Sequence, residues 1–300
     1  MIKKILVVVV CIIIITGCTI PLIMSFKENA LAVVVIEGQS NAAYDEIGID
    51  LMNDEVPIPE NKVYYYGTKS SPIQPGSTGN LHYDITFKSY GIHSMISGNK
   101  WKVGLSDAII AYEIQKKYDM DVLIINTGIA GSSIQYLLPE DEGGQYIIDV
   151  VTHALQDANK IEKVKKTGFV WIQGEADNST PVNTYVYRFN GIMKMNQDLG
   201  FDYGYIVETA YGNAATAQNK ICNSNPNMIM SCTATKTFTV ENGLLEDDGV
   251  HYTAQGRYIV GMDVSEKIKV DVDFNNLLFL IPTVLILAVI VILFRTGGED

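Results

Sequence analysis

Short apolar runs alternate with amphipathic stretches through the middle of the chain. The runs rich in β-branched residues are typical of strands buried on both faces of a sheet, and they fall at residues 30–36, 63–66, 121–126, 168–173 and 203–209. Apolar residues at helical spacing predict helices at residues 105–118, 146–164, 182–199 and 253–269. Thr253 is placed to cap the last helix. Strands that alternate with helices predict βαβ units, and therefore an α/β fold with a central parallel sheet covered on both faces.

Two longer apolar runs at the ends of the chain predict membrane segments. Residues 5–24 are almost wholly apolar, and about 20 such residues span a bilayer as a helix. This segment is either a retained signal anchor or a cleaved signal peptide, and residues 15–18 also resemble a lipobox that would place a lipid on Cys18. Residues 277–294 carry no charge and predict a second transmembrane helix rather than a buried core helix.

Charges beside the two runs predict how the chain crosses the membrane. Two lysines precede the first run and Arg295 follows the second. Because positive residues stay on the cytoplasmic side, we expect both termini in the cytoplasm and the intervening domain outside, on the extracytoplasmic side. The predicted organisation is a signal anchor or signal peptide at 1–26, a globular domain at 27–274, and a transmembrane helix with a short tail at 275–300.

The predicted domain contains two cysteines, Cys222 and Cys232. In an oxidising compartment they could close a disulfide loop, and the alternative is a pair of free thiols. Neither a CxxC motif nor a His/Cys cluster indicates a zinc site. We therefore predict no metal and no cofactor.

The charge balance argues against nucleic acid as a partner. The 300-residue chain has a formal net charge of −12, whereas proteins that bind nucleic acid need a basic surface. The lysine-rich stretch at 160–166 is interpreted as the solvated end of a helix. An acidic protein is compatible with a neutral substrate such as a sugar ester.

Polar segments that contain glycine follow the predicted strands. Ligands bind at the carboxyl ends of the strands in parallel sheets, so we expect these segments to converge on one edge of the sheet. They are residues 38–41 (GQSN), 126–133 (NTGIAGSS), 171–177 (WIQGEAD) and, near the end of the domain, 247–251 (DDGVH).

These segments together carry the residues of nucleophilic catalysis. The hydroxyl of Ser40 is a poor nucleophile until an imidazole takes its proton, and His251 can serve as that base. Asp248, three residues earlier, can bond the imidazole and fix its tautomer. Ester attack also creates an oxyanion that needs donors, for which the backbone N–H groups of Ser40 and Gly131 and the side-chain amide of Gln173 are candidates.

The order and spacing of these segments resemble the SGNH-hydrolase superfamily, and within it the sialate O-acetylesterase and acetylxylan-esterase-like branch, carbohydrate esterase family 6. The GQSN segment matches the nucleophile block, residues 171–177 match a WxQGExD block, and Asp248 with His251 matches a DxxH block. The resemblance spans about residues 31–265. It implies a three-layer α/β/α sandwich of the flavodoxin-like kind and metal-free removal of acetyl groups from carbohydrate hydroxyls. It also implies Ser40 as nucleophile, His251 as base and Asp248 as the residue that orients it.

The chain departs from the family pattern at two places. Ala42 stands where family members often have Met after GQSN, and an Ala130–Gly131 pair replaces two adjacent glycines. Which of these two N–H groups faces the oxyanion stays open, because the Cβ of alanine restricts the backbone. The polar residues Gln39, Asn41 and Glu175 are predicted to bind the substrate.

The sequence predicts a serine esterase that removes O-acetyl groups from a sialate or xylan-like glycan. The alternative is a non-catalytic, membrane-anchored surface or envelope protein that reuses the fold to bind glycan or to assemble, since a fold alone does not establish a function. A metal-dependent hydrolase that uses Asp247, Asp248 and His251 is a third possibility. An acetylated carbohydrate and the lipid bilayer are the predicted partners.

Overall fold

A seven-stranded sheet, in which only one strand is antiparallel to its neighbour, forms the centre of this computed structural model. The structure describes residues 30–43, 56–60, 62–68, 89–210 and 212–270. Across the sheet, the strands follow the order β3-β2-β6-β1-β7-β8-β9, and β4 and β5 form a separate hairpin. In chain order the strands are β1 (Ala30–Gly38), β2 (Val63–Thr68), β3 (Ser89–Ser94), β4 (Ile96–Ser97), β5 (Lys100–Trp101), β6 (Asp121–Asn126), β7 (Lys163–Ile172), β8 (Gly204–Val207) and β9 (Met228–Cys232).

Helices cover both faces of the sheet. Those found in the described residues are α1 (Leu105–Tyr118), α2 (Glu142–Ala158), α3 (Val182–Asp198), α4 (Gly212–Ser224) and α5 (Ala254–Lys267). Side chains of α2, α3 and α4 pack against one face, whereas those of α1 and α5 pack against the other. Short 3-10 helices, Glu175–Asp177 and Ala234–Thr237, follow β7 and β9. The predicted α/β fold with a mostly parallel central sheet is confirmed.

Strand β1 lies at the middle of the sheet and is buried along its whole length. Successive side chains of a strand point to opposite faces, so Leu31, Val33 and Val35 join one core while Ala32, Val34 and Ile36 join the other. Because both faces of the strand are buried, its sequence is an uninterrupted apolar run and does not alternate between apolar and polar residues.

One error of the sequence prediction concerns residues 159–166. A helix was expected over 146–164, but α2 ends at Ala158 and β7 already begins at Lys163. Lys163 to Lys166 pair with the first residues of β1. The lysine-rich stretch is therefore the start of a strand and not the solvated end of a helix, because its backbone completes the sheet while its side chains stay at least partly exposed.

The two predicted membrane segments, 5–24 and 277–294, lie outside the described residues. Within the part of the chain that the structure describes, no helix combines the length and the apolar character needed to cross a membrane. The residues from Ala30 to Val270 form one compact unit.

Of the two alternatives for Cys222 and Cys232, the structure has the pair of free thiols and not the disulfide. Cys232 ends β9 and belongs to the core on one face of the sheet, whereas Cys222 lies on α4 and packs against the core on the other face. The sheet therefore separates the two side chains.

A buried carboxyl group near the end of β1 pairs with an amide of α3. Asn196 Nδ2 donates to Glu37 Oε2 over 3.0 Å. The remaining polar atoms of the pair, Glu37 Oε1 and Asn196 Oδ1, are buried with no partner in the described structure. Burial raises the pKa of Glu37 to about 8, so this carboxyl keeps its proton at neutral pH. The protonated group can donate to Asn196 Oδ1, so that each of the two side chains donates to the other and accepts from it.

Replacing Glu37 by Gln should change how stability depends on pH. Between the unfolded pKa of a glutamate, about 4.3, and the folded value of about 8, the native state holds one more proton than the unfolded state. The unfolding free energy of the wild type therefore falls by about 1.4 kcal/mol per pH unit as pH rises through this window. Glu37→Gln removes the titration, so its melting temperature should match the wild type near pH 4.5 and exceed it at about pH 7.5.

Thermal unfolding at the two pH values measures this difference. Glu266→Gln, a change at an exposed side chain of α5, is the control and should follow the wild type at both. A Glu37→Gln variant with a pH profile parallel to that of the wild type would show that Glu37 is ionised in the folded protein.

Candidate active site

The exit of β1 lies between the exits of its neighbours β6 and β7. Helix α1 leads into β6 on one face and α2 connects β6 to β7 on the other, and the exits of the strands form the edge where ligands bind in open α/β sheets. Gly38 ends β1 with a φ of +136°, and an added Cβ would lie 2.0 Å from the carbonyl oxygen of Ile172. Only glycine fits this close approach, after which the chain turns and carries Ser40 to the edge of the sheet.

Ser40, His251 and Asp248 form a chain of hydrogen bonds at this edge. Ser40 Oγ lies 2.9 Å from His251 Nε2, and His251 Nδ1 lies 2.5 Å from Asp248 Oδ2. The other oxygen of Asp248 accepts from the backbone N–H groups of His251 and Val250. These bonds, with that of the His251 backbone foremost, lower the pKa of Asp248 to about 2. An ionised carboxylate therefore faces the imidazole at neutral pH.

The segment that carries Asp248 and His251 is folded back on itself. Leu245 and Tyr252 form an isolated antiparallel bridge, and the N–H of Glu246 donates to the carbonyl of His251 over 2.8 Å. Thr253 then caps α5, as predicted, by accepting from the N–H of Gly256. Because α5 packs against α1 and the sheet, this small loop holds the imidazole at a defined place above the crevice.

Asn41 joins the nucleophile turn to the His251 loop. Its Nδ2 donates to the carbonyl of Val250 and its Oδ1 accepts from the N–H of Tyr252, at 3.1 and 3.0 Å. The same amide nitrogen also donates to Glu175 Oε1 over 3.1 Å. Asn41 is only 2% exposed, and its hydrogen bonds go to protein groups on both sides of His251. In this geometry Asn41 therefore positions the base, and it does not bind substrate as expected.

Gln173 is placed differently from the sequence prediction. Its Nε2 donates to the carbonyl of Ser132 and to Asp177 Oδ2, and its Oε1 accepts from the hydroxyl of Tyr185. The side chain is 1% exposed, so both amide hydrogens are engaged inside the protein. The prediction that this amide donates to an oxyanion is wrong for this arrangement, because no hydrogen of the amide remains for a ligand.

Gln39 is likewise buried, at 3% exposure. Its Oε1 accepts from the N–H groups of Ala176 and Gly174, at 3.1 and 3.5 Å. These contacts tie the nucleophile turn to the loop after β7. Gln39 therefore holds these two loops together and does not bind substrate as predicted.

Asp177 is a buried residue of the site to which the sequence analysis assigned no role. It is 2% exposed, and its Oδ2 accepts from the N–H of Ile134 over 2.7 Å as well as from Gln173. It therefore connects the loop after β7 to the loop after β6. The WxQGExD pattern could have indicated this role, because its last position places an acid four residues after the glutamine.

The two backbone segments predicted to supply oxyanion donors are held next to each other. The Ser40 N–H has no acceptor among the described residues. The turn that contains Gly131 is held next to the nucleophile because the N–H of Ile129 donates to the carbonyl of Gly38 over 2.9 Å. Gly131 is exposed at the tip of this turn with a φ of +72°, and an added Cβ would meet no atom within 4 Å.

Glu175 differs from the other polar residues near the nucleophile because one of its oxygens lacks a protein partner. Oε1 accepts from Asn41, but Oε2 is buried with no hydrogen bond in the described structure. Glu175 lines a small cavity together with Val250 and Tyr252, which flank His251. Burial raises the pKa of this carboxyl, and the bond from Asn41 opposes the effect.

The chain resembles known proteins over almost the whole described domain. A family model described as carbohydrate esterase, sialic acid-specific acetylesterase, matches residues 30–269. The solved structure of NanS is 15% identical and has a TM-score of 0.50, with 80% of this chain and 96% of NanS covered. A protein from Arabidopsis thaliana is 18% identical with a TM-score of 0.49, with 78% of this chain and 96% of that chain covered. A carbohydrate acetylesterase from Xanthomonas citri is 15% identical with a TM-score of 0.46, covering 78% and 54%. None of the curated proteins compared with the chain matches it.

The family match begins at the first residue of β1 and ends just beyond α5. It therefore contains all the strand exits that meet at Ser40, and the likeness to NanS agrees with it in fold. The resemblance predicted from the sequence is confirmed. The chain belongs to the carbohydrate esterase family of sialic acid-specific acetylesterases, which are carboxylic ester hydrolases.

Proposed function

We propose that this protein removes O-acetyl groups from carbohydrates with Ser40 as nucleophile, His251 as general base and Asp248 as the residue that orients the base. The observation that carries the proposal is the 2.9 Å contact between Ser40 Oγ and His251 Nε2, which is within reach for proton transfer. Family membership supports the ester-hydrolase chemistry. A protein that only bound glycan would have no use for this contact.

The reaction has two halves. In the first, His251 Nε2 takes the proton of Ser40 while Oγ bonds to the acetyl carbonyl carbon, and the sugar oxygen then leaves with the proton from His251. In the second, His251 takes a proton from water, whose oxygen attacks the acetyl group on Ser40. The bond to Oγ breaks, Ser40 regains the proton, and acetate is released.

Asp248 contributes by staying charged throughout the cycle. Its pKa of about 2 keeps the carboxylate ionised, and a carboxylate beside Nδ1 favours the tautomer that carries its hydrogen there. The free lone pair of Nε2 then faces Ser40. The same charge stabilises the imidazolium that forms when the proton arrives.

The negative charge on the carbonyl oxygen needs donors that are already in place. We assign this role to the backbone N–H of Ser40 and to the exposed turn at Gly131, since the Gln173 amide is engaged elsewhere. One donor of this kind typically lowers the barrier by about 3 kcal/mol. The buried Gln173 acts indirectly, because it ties the Ser132 carbonyl beside Gly131 to the loop after β7.

The serine variant tests the central assignment. Ser40→Ala should lower kcat for acetate release by about 10⁴-fold or more, because the covalent route is lost, and should abolish labelling by a fluorophosphonate probe. Ser179→Ala, at an exposed serine on the loop after β7, should keep both. Acetate release from an acetylated glycan and gel detection of the probe are the measurements. Full activity in a folded Ser40→Ala variant would disprove the mechanism.

The asparagine variant separates positioning from substrate binding. Asn41→Ala should lower kcat by up to about 100-fold, since an imidazole displaced by about 1 Å reacts poorly, while KM changes little. It should also destabilise the fold by about 1–3 kcal/mol, because buried partners are left unsatisfied. Asn190→Ala, at an exposed helix position, is the control. A raised KM with an unchanged kcat would instead restore Asn41 as a substrate-binding residue.

We also propose that the apolar runs at 5–24 and 277–294 hold the esterase domain at the extracytoplasmic face of a membrane. Two observations support this placement. The runs are 20 and 18 residues long and carry no charge, so each is long enough to span a bilayer, and positive residues flank them. The full chain should therefore stay in the membrane pellet after alkaline carbonate extraction, and protease added outside intact cells should digest the domain. Release into the alkaline supernatant would contradict this placement.

A further inference from the structure

The turn that carries Ser40 has the form of a single helical turn. The N–H groups of Ala42 and Ala43 both donate to the carbonyl of Gln39, each over 2.9 Å. In such a turn the peptide groups point the same way, with their N–H groups toward its start and their carbonyls toward its end. The Ser40 N–H, which we assign to the oxyanion, therefore lies at the start, and the carbonyls of Asn41 and Ala42 lie at the end.

Two side chains from other elements donate to the carbonyls at the end of this turn. Arg257 Nη1 donates to the carbonyl of Asn41 over 3.3 Å, and Asn126 Nδ2 donates to the carbonyl of Ala42 over 2.8 Å. Arg257 lies in the first turn of α5 and is 3% exposed, whereas Asn126 ends β6. Carbonyls at the end of a helical turn have no partner within it, and here both are satisfied from outside.

The bond from Arg257 continues through two peptide groups to Ser40. The Asn41 carbonyl, which accepts from Arg257, shares a peptide group with the N–H of Ala42. That N–H donates to the carbonyl of Gln39, which shares the next peptide group with the N–H of Ser40. We call this series the relay. All its donors point in one direction, and it ends at the Ser40 N–H, which has no acceptor among the described residues.

Successive hydrogen bonds of this kind strengthen one another. A carbonyl that accepts a bond withdraws electron density from the N–H of its own peptide group, which then donates more strongly, by about 10–30% per bond. A charged donor makes a bond about twice as strong as a neutral donor does. The guanidinium of Arg257 at the start of the relay therefore polarises the Ser40 N–H at its end.

A charged donor is not needed merely to hold the turn in place. Burying a guanidinium costs free energy, and the neutral amide of Asn126 satisfies the neighbouring carbonyl of Ala42. The same amide donates to Asp107 of α1, which is 5% exposed, so the buried groups behind the turn include a carboxyl as well as a guanidinium. The effect on Ser40 therefore depends on the direction of the hydrogen bonds and not on net charge.

We propose that Arg257 is a positioning residue of the oxyanion hole, which acts on the reaction by polarising the Ser40 N–H through the relay. This role rests on the proposed esterase activity and adds to it a residue that acts only through the backbone. The bond from the Ser40 N–H strengthens when the acetyl carbonyl oxygen becomes negative. Arg257 therefore stabilises the transition state more than the bound substrate, and its loss should lower kcat with little change in KM.

Two substitutions of graded donor strength test the relay in the full-length protein. Arg257→Gln retains a neutral donor, whereas Arg257→Met has none. With p-nitrophenyl acetate, kcat should fall about twofold in the first and about fivefold in the second, because part of the strength of one oxyanion donor is lost. Lys117→Met is the matched control, since Lys117 is a basic side chain that donates to the carbonyl of Ile268 at the far end of α5. It should keep the wild-type kcat.

A spectroscopic measurement separates polarisation from a purely structural role. In the adduct of Ser40 with a fluorophosphonate probe, a phosphonyl oxygen takes the place of the oxyanion. The proton chemical shift of the Ser40 amide, measured by NMR after labelling serine with ¹⁵N, then reports the strength of its hydrogen bond. The shift should move upfield from wild type to Arg257→Gln to Arg257→Met, in step with log kcat, and should stay in place in Lys117→Met.

A folded variant of Arg257 that keeps both the wild-type kcat and the wild-type amide shift would overturn the inference. A lower kcat with an unchanged amide shift would do the same, because Arg257 would then only hold α5 against the turn. If Arg257→Met shows no cooperative thermal unfolding, Arg257→Gln decides by the same two criteria. Failure of the esterase proposal looks different, since the wild type would then form no adduct and hydrolyse p-nitrophenyl acetate no faster than Ser40→Ala.

Discussion

The structure depends most on the hydrogen bonds that Asn41 makes across the crevice. Ser40 and His251 are separated by 211 positions in the chain, and their contact requires two loops from opposite ends of the domain to keep one distance. Asn41 follows Ser40 directly and bonds the backbone on both sides of His251. A side chain with one donor group and one acceptor can do this, whereas an apolar residue of similar size cannot.

The polar residues around the nucleophile divide into a buried framework and a small reactive set. Gln39, Asn41, Gln173 and Asp177 are each at most 3% exposed, and they bond the loops after β1, β6 and β7 to one another. Buried polar groups are stable only when their hydrogen bonds are made, so this network also keeps the loops in register. The reactive set is left at the surface of that framework, with Ser40 partly exposed and Asp248 and His251 facing solvent.

Carboxyl groups near the site behave differently because their surroundings differ. Glu37 is fully buried, and burial raises its pKa to about 8, so that it keeps its proton at neutral pH. Asp248 accepts two backbone N–H bonds and one from an imidazole, and it remains ionised. A carboxyl group thus serves as a neutral partner in the core and as a charged group beside the base. Burial raises the pKa of the first, and hydrogen-bond donors lower the pKa of the second.

The sequence by itself determined the α/β class, the bounds of α1 and β6, and the identity of the three residues that meet at the edge of the sheet. Runs of β-branched residues are typical of strands buried on both faces, and the GQSN and DxxH segments contain the residue types that the chemistry needs. It missed α4, whose buried side chains are mostly small, and the start of β7. Only the tertiary structure decided the roles of Gln39, Asn41 and Gln173 and the separation of Cys222 from Cys232. Hydrogen-bond partners and sides of a sheet are set by residues far apart in the chain, and no local pattern contains them.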